Sequence, residues 1–205
     1  MNDRVQPPAE LQSMDKALFD QWFDERYAEK ISQQEESEVG SLSIIATKGT
    51  MDMAYPPFIL ASTAAALDWE VSVFFTFYGL DLVKNDLDLE VSPLGNPAMP
   101  MKMPFGPEWF RNVNWPLPNF LMSNVPGFEK LATSLMRKTV ESKGVAGIGE
   151  LREACIESDV ELVACQMTVD LCGHKKEDFI PEVSEWVGAT TFLPQARKSD
   201  VCLFI

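Results

Sequence analysis

One histidine, His174, is the whole imidazole supply of this 205-residue chain, which leaves little scope for His-based acid–base or metal chemistry. A Cys165–His174 dyad would need His174 beside the thiol, yet CGHKKED reads equally well as a helix turn facing water. Cys165-x6-Cys172-x-His174 is the nearest approach to a metal pattern. It lacks the short C-x2-4-C pair of structural zinc sites, so no metal is expected. Neither G-x-G-x-x-G nor a Walker A loop occurs, so no nucleotide cofactor is expected; TKGTMD is a weak strand-to-helix turn of a kind that can hold an anion. Basic residues are also scarce. Seventeen Lys and Arg against 31 Asp and Glu give a net charge of −14, which repels phosphate backbones and anionic membrane surfaces. Nucleic acid is excluded as a partner, and a peripheral membrane contact is disfavoured. The longest apolar stretch, Phe58 to Leu80, is broken by Asp68, Trp69 and Glu70, and neither half reaches the roughly 20 residues of a bilayer span. MNDRVQPPAELQSMDK has no apolar stretch after its basic residue, so no secretory signal is read and the cytoplasm is the expected compartment.

What is present is a soluble α/β pattern. Hydrophobic residues make up 46% and charged residues 23%, enough apolar material for one domain with a full core and too little length for two ordinary ones. Residues 1–40 read as an N-terminal extension. Within it Leu11, Met14, Leu18, Trp22, Tyr27 and Ile31 recur at helical spacing over 10–36, with an acidic face that is either solvated or docked on a neighbouring subunit. From 41 to 205 a single α/β domain is expected. LSIIAT (42–47) predicts a strand, and Met53 to Leu67 a helix with Pro56 and Pro57 in its first turn. EVSVFFTFYGL (70–80) predicts a second strand, too uniformly apolar to have a solvated face. Strand, helix, strand in this length is a βαβ unit. Further helices are expected over 128–142 and 148–158, then a VELVAC strand (160–165), a helix, a WVGATTF strand (186–192) and a terminal DVCLFI strand with Cys202 packed in it.

Between about 92 and 127 the texture changes to a Pro-, Met- and aromatic-rich insertion whose eight prolines forbid a continuous helix or central strand. It reads as a rigid loop presenting Trp109, Phe110, Trp115 and Phe120 to a subunit interface, as a lid over a thiol site, or as a membrane-surface contact. The few cations bunch nearby, at Lys102, Arg111, Lys130, Arg137, Lys138, Lys143 and Arg152. They are either ordinary helix-surface charge or an attractor for a small anion.

Four cysteines in a chain expected in a reducing compartment are structural or reactive thiols rather than a disulfide framework. Cys165 closes the VELVAC strand and is followed at once by a helix, QMTVDLCG. Ligands of open α/β sheets gather at the carboxyl ends of strands, and helix N-terminal amides favour a thiolate. Thr168 is read as the helix N-cap, with Asp170 in the first turn. Cys155, in LREACIES, is either a buried small hydrophobe or a second sulfur-handling thiol. Cys172 is a packing thiol or exchanges with Cys165, and Cys202 is read as inert.

VSVFFTFYGL, the Met/Pro-rich insertion, VELVACQMTVDLCG and the closing DVCLFI together resemble the DsrE/DsrF-like sulfurtransferase family, in particular a longer subgroup that often carries a peroxiredoxin-like label. The resemblance covers about 42–205 and is carried most specifically by the strand-Ala-Cys-x-Met-[Ser/Thr]-x-Asp stretch. It implies a flavodoxin-like α/β/α sandwich with a mainly parallel sheet of about five strands, a homo-oligomer, and a cysteine that holds sulfur as a persulfide. Rhodanese-type donors and TusA-type sulfur carriers are the implied partners. Cys172 departs from the pattern, since the family places Met or another apolar residue there. The expected function is therefore sulfur carriage or transfer on Cys165, with Cys155 as a possible second thiol. The rival readings are a scaffold for sulfur-carrier partners, and a thiol peroxidase that lacks a convincing resolving cysteine. Flavin binding rests on fold analogy alone.

Overall fold

In the computed structural model, residues 15–37, 39–92, 106–113 and 126–205 are described. The chain divides into two compact units, Met1–Val39 and Gly40–Ile205. The first contains the helix Lys16–Ser37. Its row of aromatics stacks along the helix surface, Phe19 on Phe23 and Phe23 on Tyr27 with ring centroids 6.3 and 5.9 Å apart, the spacing that i,i+4 neighbours allow. Leu18, Trp22 and Tyr27 of the anticipated stripe are exposed. Leu11, Met14 and the Ile31 side chain lie outside the described residues, as does most of the Pro-rich insertion, of which Glu108–Arg111 forms a single helical turn.

The second unit is an α/β sandwich built on five parallel strands: β1 (Ser41–Ala46), β2 (Glu70–Phe75), β3 (Glu161–Cys165), β4 (Val183–Val187) and β5 (Val201–Phe204), in the order β4-β3-β2-β1-β5. The pleat divides the core in two. On one face Leu42, Ile44, Ala46, Val71, Val73, Phe75, Leu162 and Ala164 pack with Ala54, Phe58, Ala61, Ile148 and Cys155, from the helices Met51–Ala65 and Ile148–Glu157. On the other, Phe74, Val163 and Cys165 pack with Phe192 and Ala196 of the helix Ala189–Ala196. Phe74 stacks on Phe192 at 4.5 Å between centroids. The inner strands are covered on both faces, as parallel sheets require; the polar residues Ser43 and Ser72 are buried and hydrogen-bond to one another.

Four helices end in the same way: Trp69, Val145, Val160 and His174 each donate an amide back five residues, to Ala64, Val140, Cys155 and Val169. The residue before each amide, Asp68, Gly144, Asp159 or Gly173, has positive φ. This is the Schellman closure, with Asp accepting the left-handed conformation at two of the sites.

Several expectations are corrected. β2 stops at Phe75 rather than at Leu80, and Phe77–Val83 is a 3-10 helix. Gly79 explains the turn: a Cβ there would stand 2.1 Å from the Ala46 carbonyl oxygen, so only glycine lets this segment seat against the end of β1. The expected 186–192 strand gives way to β4 and then to a helix capped by Gly188, because Phe192 is drawn onto Phe74. Pro56 and Pro57 lie in the second turn of their helix, which begins at Met51. They withhold the amides that the Asp52 and Met53 carbonyls would otherwise accept. Cys202 is exposed rather than packed, since β5 is an edge strand paired only with β1.

Gly79→Ala is expected to lower the stability of the domain by about 1–3 kcal/mol through overpacking. Urea unfolding should show a lower midpoint with an unchanged slope; an unaltered midpoint would remove Gly79 from its bracing role.

Candidate functional site

The parallel register of β2 on β3 pairs Phe75 with Ala164, so the next residues, Thr76 and Cys165, lie at adjacent strand ends. Cys165 is the N-cap of the helix Gln166–Cys172 and is 2% exposed. Its thiol meets the hydroxyls of Thr168 and Thr76 and the backbone amides of Thr168 and Met167. Thr168 is fully buried and its Oγ1 lies 3.2 Å from that of Thr76. The Phe77 amide donates to the Thr168 hydroxyl oxygen at 3.4 Å.

Burial is the largest influence on Cys165 and pushes its thiol up, because a charged sulfur is poorly solvated there. The hydroxyls of Thr168 and Thr76 and the amides of Thr168 and Met167 act the other way and together prevail, so the thiol is held below its ordinary value. The thiol is therefore more acidic than its burial alone would make it.

The rim is apolar and exposed. Phe77, Tyr78, Met167 and Leu171 are 52, 76, 60 and 71% exposed, with Met167 and Leu171 four residues apart on one helix face. Phe77 has φ +50°, a costly conformation for a bulky residue and one that collects at functional sites.

The other candidates are not brought to this thiol. Cys155 lies on the opposite face of the sheet, fully buried among Phe58 and its neighbours. Its thiol donates to the Phe58 carbonyl at 3.5 Å, and burial pushes it up to about 11 despite the Ser62 backbone. Cys172 is exposed at the far end of the helix that Cys165 caps. Two helical turns separate the pair by about 10 Å, beyond the 7 Å or so that a disulfide tolerates between Cα atoms. His174 packs edge-on against Phe179, its Nδ1 4.0 Å from Asp178, while the partners of Cys165 are hydroxyls and amides. Among the described residues no three His, Cys, Asp or Glu side chains gather as a metal site would require. Thr168 is not the N-cap: it sits inside the first turn, aimed at the sulfur.

Thr76 is hidden in the sequence because VSVFFTFYGL has the texture of one continuous strand. The available signal is a lone hydroxyl among aromatics three residues ahead of a glycine.

Residues 38–204 match the DsrE/DsrF/DrsH-like family. The sulfur carrier protein DsrE2 of Allochromatium vinosum is 53% identical over 168 residues, which span 82% of this chain and 99% of that protein. The uncharacterized protein YrkE of Bacillus subtilis is 26% identical over 163 residues, 80% of this chain and 95% of its own length.

With iodoacetamide at neutral pH, peptide-resolved mass spectrometry should find Cys165 alkylated and Cys155 unmodified in the folded chain. The Cys165 rate should fall as pH drops through its lowered value, whereas Cys155 should stay silent until pH approaches its raised one, about 11. Equal labelling of the two thiols would contradict the site described.

Proposed function

The chain belongs to the DsrE/DsrF/DrsH-like family, and from that premise we propose that it is a sulfur carrier, holding sulfane sulfur as a persulfide on Cys165 and passing it to a partner thiol. The observation that carries this reading is the buried Cys165 thiol held toward thiolate by two threonine hydroxyls and two helix amides. Loading is a displacement. The Cys165 thiolate attacks the outer sulfur of a donor persulfide, a new S–S bond forms on Cys165, and the donor's own S–S bond breaks with its electron pair leaving on the donor thiolate. Unloading is the same step with an acceptor thiolate as nucleophile, and neither requires a base, metal or cofactor. The name of the Allochromatium vinosum relative, a sulfur carrier protein, supports the same assignment. TusA-type carriers and rhodanese-type donors are the partners this reading selects, with a homo-oligomer in the cytoplasm as its setting.

One observation favours a second reading. The exposed apolar rim of Phe77, Tyr78, Met167 and Leu171 suits a scaffold that binds sulfur-carrier partners without turning over itself. Peroxidase chemistry is less well supported, because Cys155 lies across the sheet and Cys172 two turns away, so neither is placed to resolve a sulfenate on Cys165.

After exposure to polysulfide, intact-mass analysis should show a gain of one sulfur that Cys165→Ser abolishes and Cys155→Ser, Cys172→Ser and Cys202→Ser retain. Undiminished loading of Cys165→Ser would transfer the function to another thiol. A chain that never loads but still captures carrier proteins would establish the scaffold.

A further inference from the structure

The hydroxyls of Thr76 and Thr168 leave a proton count that the carrier reading does not use. Each threonine has one O–H to donate. The Phe77 amide already supplies a donor to the Thr168 oxygen, so the Thr168 proton is free to point at either the Thr76 oxygen, 3.2 Å away, or Cys165. When the sulfur carries no negative charge, one hydroxyl donates to the other across the 3.2 Å contact. When it is a thiolate, both protons have a stronger acceptor within reach, since hydrogen bonds to charged groups are roughly twice as strong as neutral ones. Both side chains are buried, Thr168 completely and Thr76 to 8% exposure, so water does not compete for either proton.

Loading changes where the charge sits. In the persulfide Cys165–S–S⁻ the charge lies on the outer sulfur and Sγ is neutral; on release, the S–S bond breaks and its electron pair returns to Sγ. We propose that Thr76 and Thr168 are positioning residues for sulfur release: the proton they share in the neutral state turns onto Sγ as the S–S bond breaks, so that both hydroxyls donate to the departing thiolate, making Cys165 a good leaving group and biasing the protein toward donating its sulfur. The inference rests on the carrier reading of Cys165 and adds a direction to it. The displacement of Cys165 by an acceptor is faster the better its thiolate is held, because lower-basicity thiols leave faster. Thr76 reaches the sulfur from the end of β2 and Thr168 from the helix after β3, so the leaving group is held by two crossovers rather than by one loop.

Cyanide tests the step with a balanced reaction. It attacks the outer sulfur, forming a C–S bond and thiocyanate, and Cys165 departs as thiolate. In a chain carrying Cys172→Ser and Cys202→Ser and loaded with polysulfide, Thr168→Val should release thiocyanate several-fold more slowly, and Thr76→Val should do so to a lesser degree. Thr168→Ser, which keeps the hydroxyl, should restore the rate. In the unloaded chain the pH profile of Cys165 alkylation should move upward in Thr168→Val, cutting the rate at neutral pH about tenfold for each pH unit by which the profile moves. Thermal unfolding identifies the folded variants, and Thr76→Ala and Thr168→Ala, which also remove the hydroxyl, carry the same expectations if a valine variant unfolds. Normal loading with unchanged release, or an unmoved alkylation profile in both valine variants, would overturn the inference and leave the carrier reading intact. A wild-type chain that fails to load on Cys165 would refute the carrier reading itself.

Discussion

The parallel pairing of β2 with β3, which sets Phe75 against Ala164, decides what stands beside Cys165 one residue further on. A slip of one residue would exchange the faces of the whole strand, sending Phe74 away from Phe192 and moving Thr76 from the thiol. Two features hold the register. Phe74 stacks on Phe192 at one end of the strand. Toward the other end the same face carries hydroxyls instead, with Ser43 3.1 Å from Ser72 and 2.7 Å from Ser199. An apolar stack and a polar row on one surface are matched in a single alignment, so the site geometry follows from packing some distance from the sulfur.

The same pleat sorts the thiols. Cys155 faces the core layer under the Met51–Ala65 helix, and Cys165 faces Phe192 across the sheet. Each is buried, but only Cys165 lies at a strand end where amides and hydroxyls converge. Burial pushes the Cys155 thiol up; at Cys165 the four converging donors outweigh burial and hold the thiol below its ordinary value.

The α/β class, the parallel sheet and the place of Cys165 at the end of β3 are legible because uniform apolar runs and a Cys at a strand-to-helix junction are local signals. What is not legible depends on contacts distant in sequence. Nothing near Gly79 in the chain announces that the Ala46 carbonyl will press on it, so the apolar run overstates the length of β2 by five residues and conceals Thr76 within it. WVGATTF is rich in β-formers, yet burial of Phe192 against Phe74 makes most of it helix, a tertiary preference overriding an intrinsic one. Cys202 misleads for the converse reason: VCLF is apolar, but an edge strand leaves one of its faces open. Thr168 stands out beside the cysteine yet suggests the wrong partner, because capping is read from neighbours in the chain whereas its hydroxyl answers to Cys165 and Thr76.

If Cys165 carries sulfur as proposed, a closed thiol and a transferable cargo impose opposite demands on the residues around it. The low local dielectric strengthens every hydrogen bond to the thiolate, which is why so few donors suffice. On the proposed carrier reading, a persulfide adds a sulfur about 2 Å beyond Sγ to a side chain that is 2% exposed. The neighbours differ in how freely they could give way to it. Phe74, Val163 and Phe192 are locked in the sheet and helix interface, and Thr168 is held by the Phe77 amide. Phe77 and Met167 have a solvent side to move into, and Phe77 already occupies a strained backbone conformation whose relaxation would favour movement. On the proposed carrier reading, the rigid side of the site lowers the thiol pKa, and the exposed apolar side of Phe77 and Met167 is where a cargo would emerge and an acceptor approach.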